Sequence, residues 1–267
     1  MKYKMIAVDI DDTLLNSEKK ITPLTRQALI KAQKQGVKLV VASGRLPYGV
    51  RPYAEKLGVF KYGGFYMGFN GGAIFNSDGE CIGKTYLDSK FIEPVYSLIR
   101  PTDVTAMVHK GDIIYADRKV NKYTSVEPDV IGLPLNLVDD ISRFVDWDLH
   151  KILLAGEPEE LKTLEKALLE KFGEQLDIYL SAPWFLEVMP KGISKGLGLK
   201  RICAYSGIDM EEVIAFGDNF NDISMIEAAG LGVAMGNAEP KLKDAADFVT
   251  DDCNHDGIAS ALERFIF

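Results

Sequence analysis

The sequence predicts an α/β protein: a doubly wound, Rossmann-like parallel-sheet core carrying an inserted α+β domain. Three observations predict it. Apolar strands alternate with helical patterns over residues 5–10, 22–35, 37–42, 46–57 and 65–69. From about residue 83 to 189 the strands become shorter and more alternating, as in an antiparallel sheet. After Pro190 the strand–helix alternation returns. Residues 1–82 and 190–267 therefore form one discontinuous core domain and residues 83–189 an inserted cap domain, with glycine-containing stretches at 79–83 and 190–192 as candidate hinges.

The first strand, Met5-Ile6-Ala7-Val8, runs into Asp9-Ile10-Asp11-Asp12-Thr13. Ligands of open α/β sheets sit beyond the carboxyl ends of the strands. Crowding carboxylates there costs stability, and a bound cation relieves the repulsion. The two-residue period of a strand sends Asp9 and Asp11 to one side. A surface turn after a strand is the plainer alternative, but it explains Asp9 poorly, because Asp9 lies inside the strand pattern.

The strand over 37–42 ends in Ser43-Gly44-Arg45 ahead of a helix over 46–57. A hydroxyl, a glycine amide and a helix N-terminus together suit an anion. In the insertion, 104–108 and 112–116 flank Lys110-Gly111 as a hairpin. Residues 157–172 form an amphipathic helix with Leu161, Leu164, Leu168 and Phe172 on one stripe and Gly173 as its stop. A second hairpin, 178–180 with 185–189, turns at Ala182-Pro183.

The next helix, over 193–206, has Lys195 in its first turn. A cation there opposes the helix dipole, so Lys195 is placed for a ligand, with Lys191 read as an ordinary exposed charge. Val213-Ile214-Ala215-Phe216-Gly217-Asp218 is a second buried strand ending in an acid, and Asn221 and Asp222 then open a helix over 223–229. The acids and amides of both strand ends are also common as helix N-caps, a reading that suits Asn221. Asp9 plus Asp218, with a backbone carbonyl, would meet the oxygen preference of Mg2+. Elements over 232–235, 241–245, 248–250 and 258–265 complete the core.

Composition narrows the class. The chain has 267 residues, 47% hydrophobic, and a formal net charge of −8, which argues against a nucleic-acid partner, whose site would need a basic face. It holds no apolar run long enough for a membrane span, and the N-terminus leads straight into a core strand rather than a signal peptide. The three cysteines, Cys81, Cys203 and Cys253, form neither a zinc spacing nor a disulfide framework, which suits the cytoplasm. His109, His150 and His255 show no metal spacing and are read as structural or surface residues.

The ordered set Asp9-x-Asp11-x-Thr13, Ser43, Lys195 and Gly217-Asp218-x-x-Asn221-Asp222 resembles the haloacid dehalogenase-like phosphatases over essentially the whole chain. Ala42-Ser43-Gly44-Arg45, Asn70-Gly71-Gly72, Ser181-Ala182-Pro183 and Gly232–Ala238 are similar to its Cof-type sugar-phosphatase branch, which carries a large α/β cap. Asp12 departs from the glycine often found there; Asp tolerates left-handed geometry better than most residues. The resemblance implies that Asp9 attacks phosphorus and that Asp11 is the general acid and base. It implies Mg2+ held by Asp9, Asp218 and the main chain of Asp11. Ile10, Ser43, Gly44, Arg45, Asn70, Lys195 and Asn221 would bind phosphate or substrate. Thr13 would fix the Asp9 loop, and Asp222 would orient Lys195 or metal-bound water.

The function implied is Mg2+-dependent hydrolysis of small phosphorylated metabolites, sugar phosphates foremost, through an aspartyl-phosphate, by a monomer or small homo-oligomer with no nucleic-acid or membrane partner. A phosphomutase would use the same residues but return the phosphoryl group to the sugar. A receiver-type signalling module lacks the insertion, and a non-catalytic binding protein would have lost Asp9, Asp11, Lys195 or Asp218. In the cap, Tyr115, Arg118, Tyr123 and Trp184 are the candidates for choosing the leaving group.

Overall fold

A computed structural model describes residues 2–267, except the side chain of Val130. The chain divides into two compact units, one running to Lys84 and resuming over Ser194–Phe267, the other Thr85–Ile193. These divisions fall two residues beyond the sequence-drawn boundary at 82 and four beyond that at 189. The shift has a structural cause. The chain pairs Ala73 with Lys84 before leaving the first sheet, and the second sheet keeps its last strand to Pro190. Residues 79–83, read as a hinge, are therefore the turn and most of the second strand of a hairpin.

The first unit opens with β1 (Met5–Asp9), α1 (Pro23–Lys34), β2 (Lys38–Ala42), α2 (Pro47–Lys56), α3 (Val59–Tyr62) and β3 (Phe65–Gly68), followed by the hairpin β4 (Ala73–Asn76) and β5 (Cys81–Lys84). The inserted unit contains α4 (Ile92–Ile99), β6 (Thr105–Lys110), β7 (Ile113–Asp117), α5 (Val126–Ile131), β8 (Leu135–Val138), α6 (Ile141–Phe144), β9 (Ile152–Ala155), α7 (Pro158–Phe172), β10 (Leu176–Ala182) and β11 (Phe185–Pro190). The first unit resumes with α8 (Lys195–Ser206), β12 (Val213–Gly217), α9 (Ile223–Ala228), β13 (Leu231–Ala234), α10 (Pro240–Ala245), β14 (Phe248–Val249) and α11 (Gly257–Phe265).

The first sheet has the order β14-β13-β12-β1-β2-β3-β4-β5, parallel from β14 to β3. Alternate residues of β1 divide between its two faces. Ile6 and Val8 pack with Leu29 of α1, Val50 of α2 and Ile258 of α11, while Met5 and Ala7 pack with Leu199 of α8, Met225 of α9 and Leu242 of α10. Helices on both faces make the sheet doubly wound. The register pairs Ile6 with Ile214 and Asp9 with Ala42, so the carboxyl ends of β12, β1 and β2 lie side by side.

The second sheet, β10-β11-β9-β6-β7-β8, is antiparallel except for β7 with β8. It has its own apolar core, in which Val108, Leu154 and Val188 meet Val95 of α4 and the α7 stripe of Leu161, Leu164, Leu168 and Phe172. The short elements β4, β5, α4, α5, β8, α6 and β9 are absent from the sequence reading. Outside the regular strand–helix alternation that reveals β3 and β13, strands of four residues carry too little pattern for a two-residue period to register. Gly173 closes α7 without a left-handed turn (φ −62°), and β1 ends one residue earlier than the sequence pattern suggests, at Asp9 rather than Ile10.

Candidate active site

The site is built in the first unit from the loops after β1, β2, β3 and β12 and the first turn of α8. After Asp9 the chain leaves β1 in a wide turn, closed by the Leu15 N–H to the Ile10 carbonyl at 2.9 Å. Asp12 takes the left-handed conformation there (φ 57°), which Asp tolerates better than most residues. Because β1 alternates, Asp9 points to the same side as Ala7, the side covered by α8.

Lys195 is the first residue of α8, whose N-cap is Ser194, with the Ser194 hydroxyl accepting from the Leu197 N–H at 3.2 Å. Its ammonium is fully buried and lies 2.5 Å from Asp9 Oδ1 and 2.6 Å from Asp222 Oδ1. Two glycines bring α8 this close. A Cβ on Gly71, which has φ +90°, would meet the Ser194 carbonyl at 2.8 Å, and one on Gly198 would meet Gly71 Cα at 2.9 Å. The second oxygen of Asp222 accepts from the N–H groups of Asp218 (3.1 Å) and Asn219 (3.2 Å). Gly217 leaves room for this, since a Cβ there would stand 2.5 Å from Asp222 Cβ.

Three carboxylates, Asp9, Asp218 and Asp222, bring an oxygen each within 4.8 Å of one another. Burial pushes Asp218 up to about 7, reinforced by the charge of Asp222 and opposed by its hydrogen bond from Thr13. Burial also drives Asp9 well above the usual carboxylate range, with Lys195 opposing and Asp222 and Asp218 adding to the rise. Burial works to lower the Lys195 ammonium, yet the attraction of Asp222 and Asp9 holds it above its ordinary value, so it stays charged. One ammonium thus faces three acids. The uncompensated negative charge and the all-oxygen donor set fit a hard divalent cation such as Mg2+, with Asp9 and Asp218 as the residues to hold it.

The Thr13 hydroxyl donates to Asp218 Oδ1 at 2.7 Å, tying the loop that carries Asp9 to the β12 loop. One position differs from the sequence expectation. Asn221 does not cap the helix after β12. Asn219 does, accepting from the Phe220 N–H at 2.7 Å, while Asp222 completes the capping box. Asn221 instead donates to Asn70 Oδ1 at 3.1 Å. Asn70 and Phe69 both have φ 52°, an uncommon conformation for non-glycine residues, held because their N–H groups bond the Ser43 and Arg45 carbonyls at 3.0 and 2.8 Å. The Ser43 hydroxyl accepts from the Arg45 N–H at 3.1 Å, and Gly44 packs against Asn70.

Arg45, expected on the substrate, grips Asp11: Nε to Oδ2 at 2.8 Å and Nη2 to Oδ1 at 2.7 Å. Both oxygens of Asp11 are engaged by this one fork, so Asp11 and Arg45 form a pair of their own. Asn237 has no role in the sequence reading, yet it bridges two loops, donating to the Asp12 carbonyl at 2.7 Å and accepting from the Cys253 N–H at 3.0 Å. Lys191 serves the inserted unit, donating to the Gly173 carbonyl at 2.6 Å. Among the cap candidates, Tyr115 packs on Phe144 and Trp147, Arg118 pairs with Asp139, and Tyr123 and Trp184 stack within 2° of parallel.

A haloacid dehalogenase-like hydrolase family model matches residues 6–262. The chain belongs to that family. It is 33% identical to the 5-amino-6-(5-phospho-D-ribitylamino)uracil phosphatase YcsE of Bacillus subtilis, over 98% of this chain and 96% of that one. A haloacid dehalogenase-like hydrolase from Bacteroides thetaiotaomicron superposes with TM-score 0.93 at 36% identity, covering 99% of this chain and 100% of the other. The subclass IIB sugar phosphatase BT4131 superposes with TM-score 0.84 at 28% identity, covering 98% of each chain. The fold is thus the parallel-sheet core with inserted cap shared by these hydrolases. No helix among the described residues is long and apolar enough to cross a membrane.

Proposed function

We propose that this hydrolase is a Mg2+-dependent phosphatase of small phosphorylated metabolites, sugar phosphates foremost, working through an aspartyl-phosphate on Asp9. The observation that carries the reading is the buried Lys195 ammonium held between Asp9 and Asp222, with Asp218 alongside, at the carboxyl ends of adjacent parallel strands. The named substrate of YcsE, a phosphorylated ribityl compound, and the sugar-phosphatase activity of BT4131 support the substrate class.

In this reading an oxygen of Asp9 attacks phosphorus and the ester P–O bond breaks, the departing oxygen taking its proton from Asp11. Water then attacks the same phosphorus, giving a proton back to Asp11 as the bond to Asp9 breaks and phosphate leaves. Lys195, the Ser43 hydroxyl and the Ile10 and Gly44 amides hold the phosphoryl oxygens, and Asn70 and Asn221 frame the pocket as one hydrogen-bonded pair. Asp222 keeps Lys195 aimed at Asp9. Arg45 must release Asp11 for the proton to move, since it holds both oxygens beforehand. Bound at Asp9 and Asp218, Mg2+ would supply charge neutralisation between the attacking carboxylate and the phosphoryl group. The cap is the element that selects the leaving group.

A panel of phosphate monoesters, assayed for free phosphate with and without Mg2+, tests the proposal. Hydrolysis of several sugar phosphates that stops when the metal is stripped is expected. Full activity without divalent metal would overturn the metal assignment, and isomerised sugar phosphate with no free phosphate would favour a phosphomutase.

A further inference from the structure

A second concave site lies in the same unit, outside the acid cluster. It is a cleft of about 400 Å3, within the range of small-ligand sites, roughly 300–1,000 Å3. Lys19, Lys20, Arg26 and Lys56 line it together with Tyr53, over a floor of Leu15 and Ile21. Four cations and no carboxylate in one cleft is a pronounced bias in a chain of net charge −8.

Local partners account for only half of that charge. Lys19 pairs with Asp12 at 3.0 Å and Lys20 with Glu18 at 2.9 Å. Arg26 spends its Nε on the Lys56 carbonyl at 3.1 Å, and among the described residues no carboxylate stands within 4.0 Å of Arg26 or Lys56. Like charges gathered without a counter-charge repel, and an anion bearing two or more charges relieves them. The mixture of one planar guanidinium fork with several lysine point charges matches tetrahedral phosphate oxygens.

Two contacts join this cleft to the catalytic loop. Two cations approach the Tyr53 ring, Lys56 Nζ and Arg45 Cζ each 5.6 Å from its centre, and Arg45 holds Asp11. Lys19 reaches from the cleft wall to the carboxylate of Asp12. An anion here would compete with Asp12 for Lys19 and would draw Lys56 away from the Tyr53 ring that Arg45 also approaches.

We propose that the cleft between the 15–21 loop, α1 and α2 binds a phosphate-class oxyanion, and that its occupation is transmitted through Lys19–Asp12 and Tyr53–Arg45 to Asp11. The ligand is either a free anion or the second phosphoryl group of a substrate. Both present the same oxygens to the same four cations.

Calorimetric titration of metal-free protein with pyrophosphate tests the binding, without depending on the phosphatase reading. One saturable site is expected, weakening as salt rises, and weakened at least tenfold in the double variant Arg26→Gln/Lys56→Gln. Lys20→Gln, which touches only Glu18, is expected to weaken it several-fold with an unchanged circular dichroism spectrum. Absence of saturable binding, or binding indifferent to these substitutions, would overturn the proposal. A kinetic arm, which does rest on the phosphatase reading, separates the sources at fixed free Mg2+. A free effector changes kcat for an aryl monophosphate at saturating substrate, and the double variant loses that response. A substrate phosphoryl group shows as a raised KM for a bisphosphate but not for a monophosphate. If pyrophosphate binds yet neither kcat nor KM responds to it or to the double variant, the link to Asp11 is overturned.

Discussion

Replacing Asp222 by Asn would destabilise the core by more than one lost hydrogen bond, because the carboxylate serves two sides at once. One oxygen accepts from Lys195 at 2.6 Å, and the other accepts from the N–H groups of Asp218 and Asn219 at 3.1 and 3.2 Å. An amide of the same shape has one oxygen. Turned toward Lys195, it sets its NH2 against two backbone N–H donors. Turned the other way, it sets its NH2 against the ammonium. The first arrangement strands the buried Asp218 donor at ~1–3 kcal/mol and the part-buried Asn219 donor at less, and the second loses a charged hydrogen bond of ~1.5–3 kcal/mol and sets donor against donor. Either way about 3 kcal/mol is lost, consistent with the ~3–5 kcal/mol typical of breaking a buried pair from one side. Both tryptophans, Trp147 and Trp184, lie in the inserted unit, so their fluorescence follows the wrong region. Hydrogen exchange of the β1 and β12 amides in metal-free protein reads the right one. At ~1.4 kcal/mol per factor of ten, their protection is expected to fall about a hundredfold. A fall of less than about fivefold would refute the dual role of Asp222.

Three further outcomes follow from the same geometry. The Asp218 carboxyl, raised to about 7 when metal-free, stays protonated in the native protein at pH values where the unfolded chain, near 3.9, has ionised. Its contribution to stability therefore falls as pH rises from about 4 to 7. Mg2+ affinity should fall about tenfold per pH unit well below 7, since binding must displace that proton, and an affinity flat from pH 5 to 8 would contradict this. Asp11→Asn should slow hydrolysis of alkyl phosphates far more than of activated aryl phosphates, whose leaving groups need no proton; equal losses on both would remove Asp11 from the acid role. Excising residues 85–193 with a short linker should leave a core that folds and binds Mg2+, because the insertion has its own apolar cluster and every proposed ligand lies outside it; a core unable to fold by circular dichroism would contradict that independence.

The long parallel strands of the core were legible because each carries a continuous apolar run ending in polar residues, as Val213 to Asp218 does. Within the strand the two-residue period holds, and Asp9 shares the side of Met5 and Ala7. Beyond the strand the period stops applying: Asp12 turns left-handed, and Asp11 goes to Arg45 rather than simply sharing the direction of Asp9. Partnerships across 151 and 205 positions, Asn221 with Asn70 and Thr13 with Asp218, have no signature in local spacing. Asn219 was legible in principle, since an Asn three residues before an acid is a capping-box pattern. Asn237 was not, because its role depends on the Asp12 carbonyl and the Cys253 amide meeting in space.

Acid quenching during turnover of a radiolabelled phosphate ester decides whether Asp9 takes the phosphoryl group. Label is expected on the peptide that contains Asp9, released by hydroxylamine as an acyl phosphate is, with neither label nor turnover in Asp9→Asn. Turnover that survives Asp9→Asn, or label on another residue of the wild-type chain, would contradict that role for Asp9.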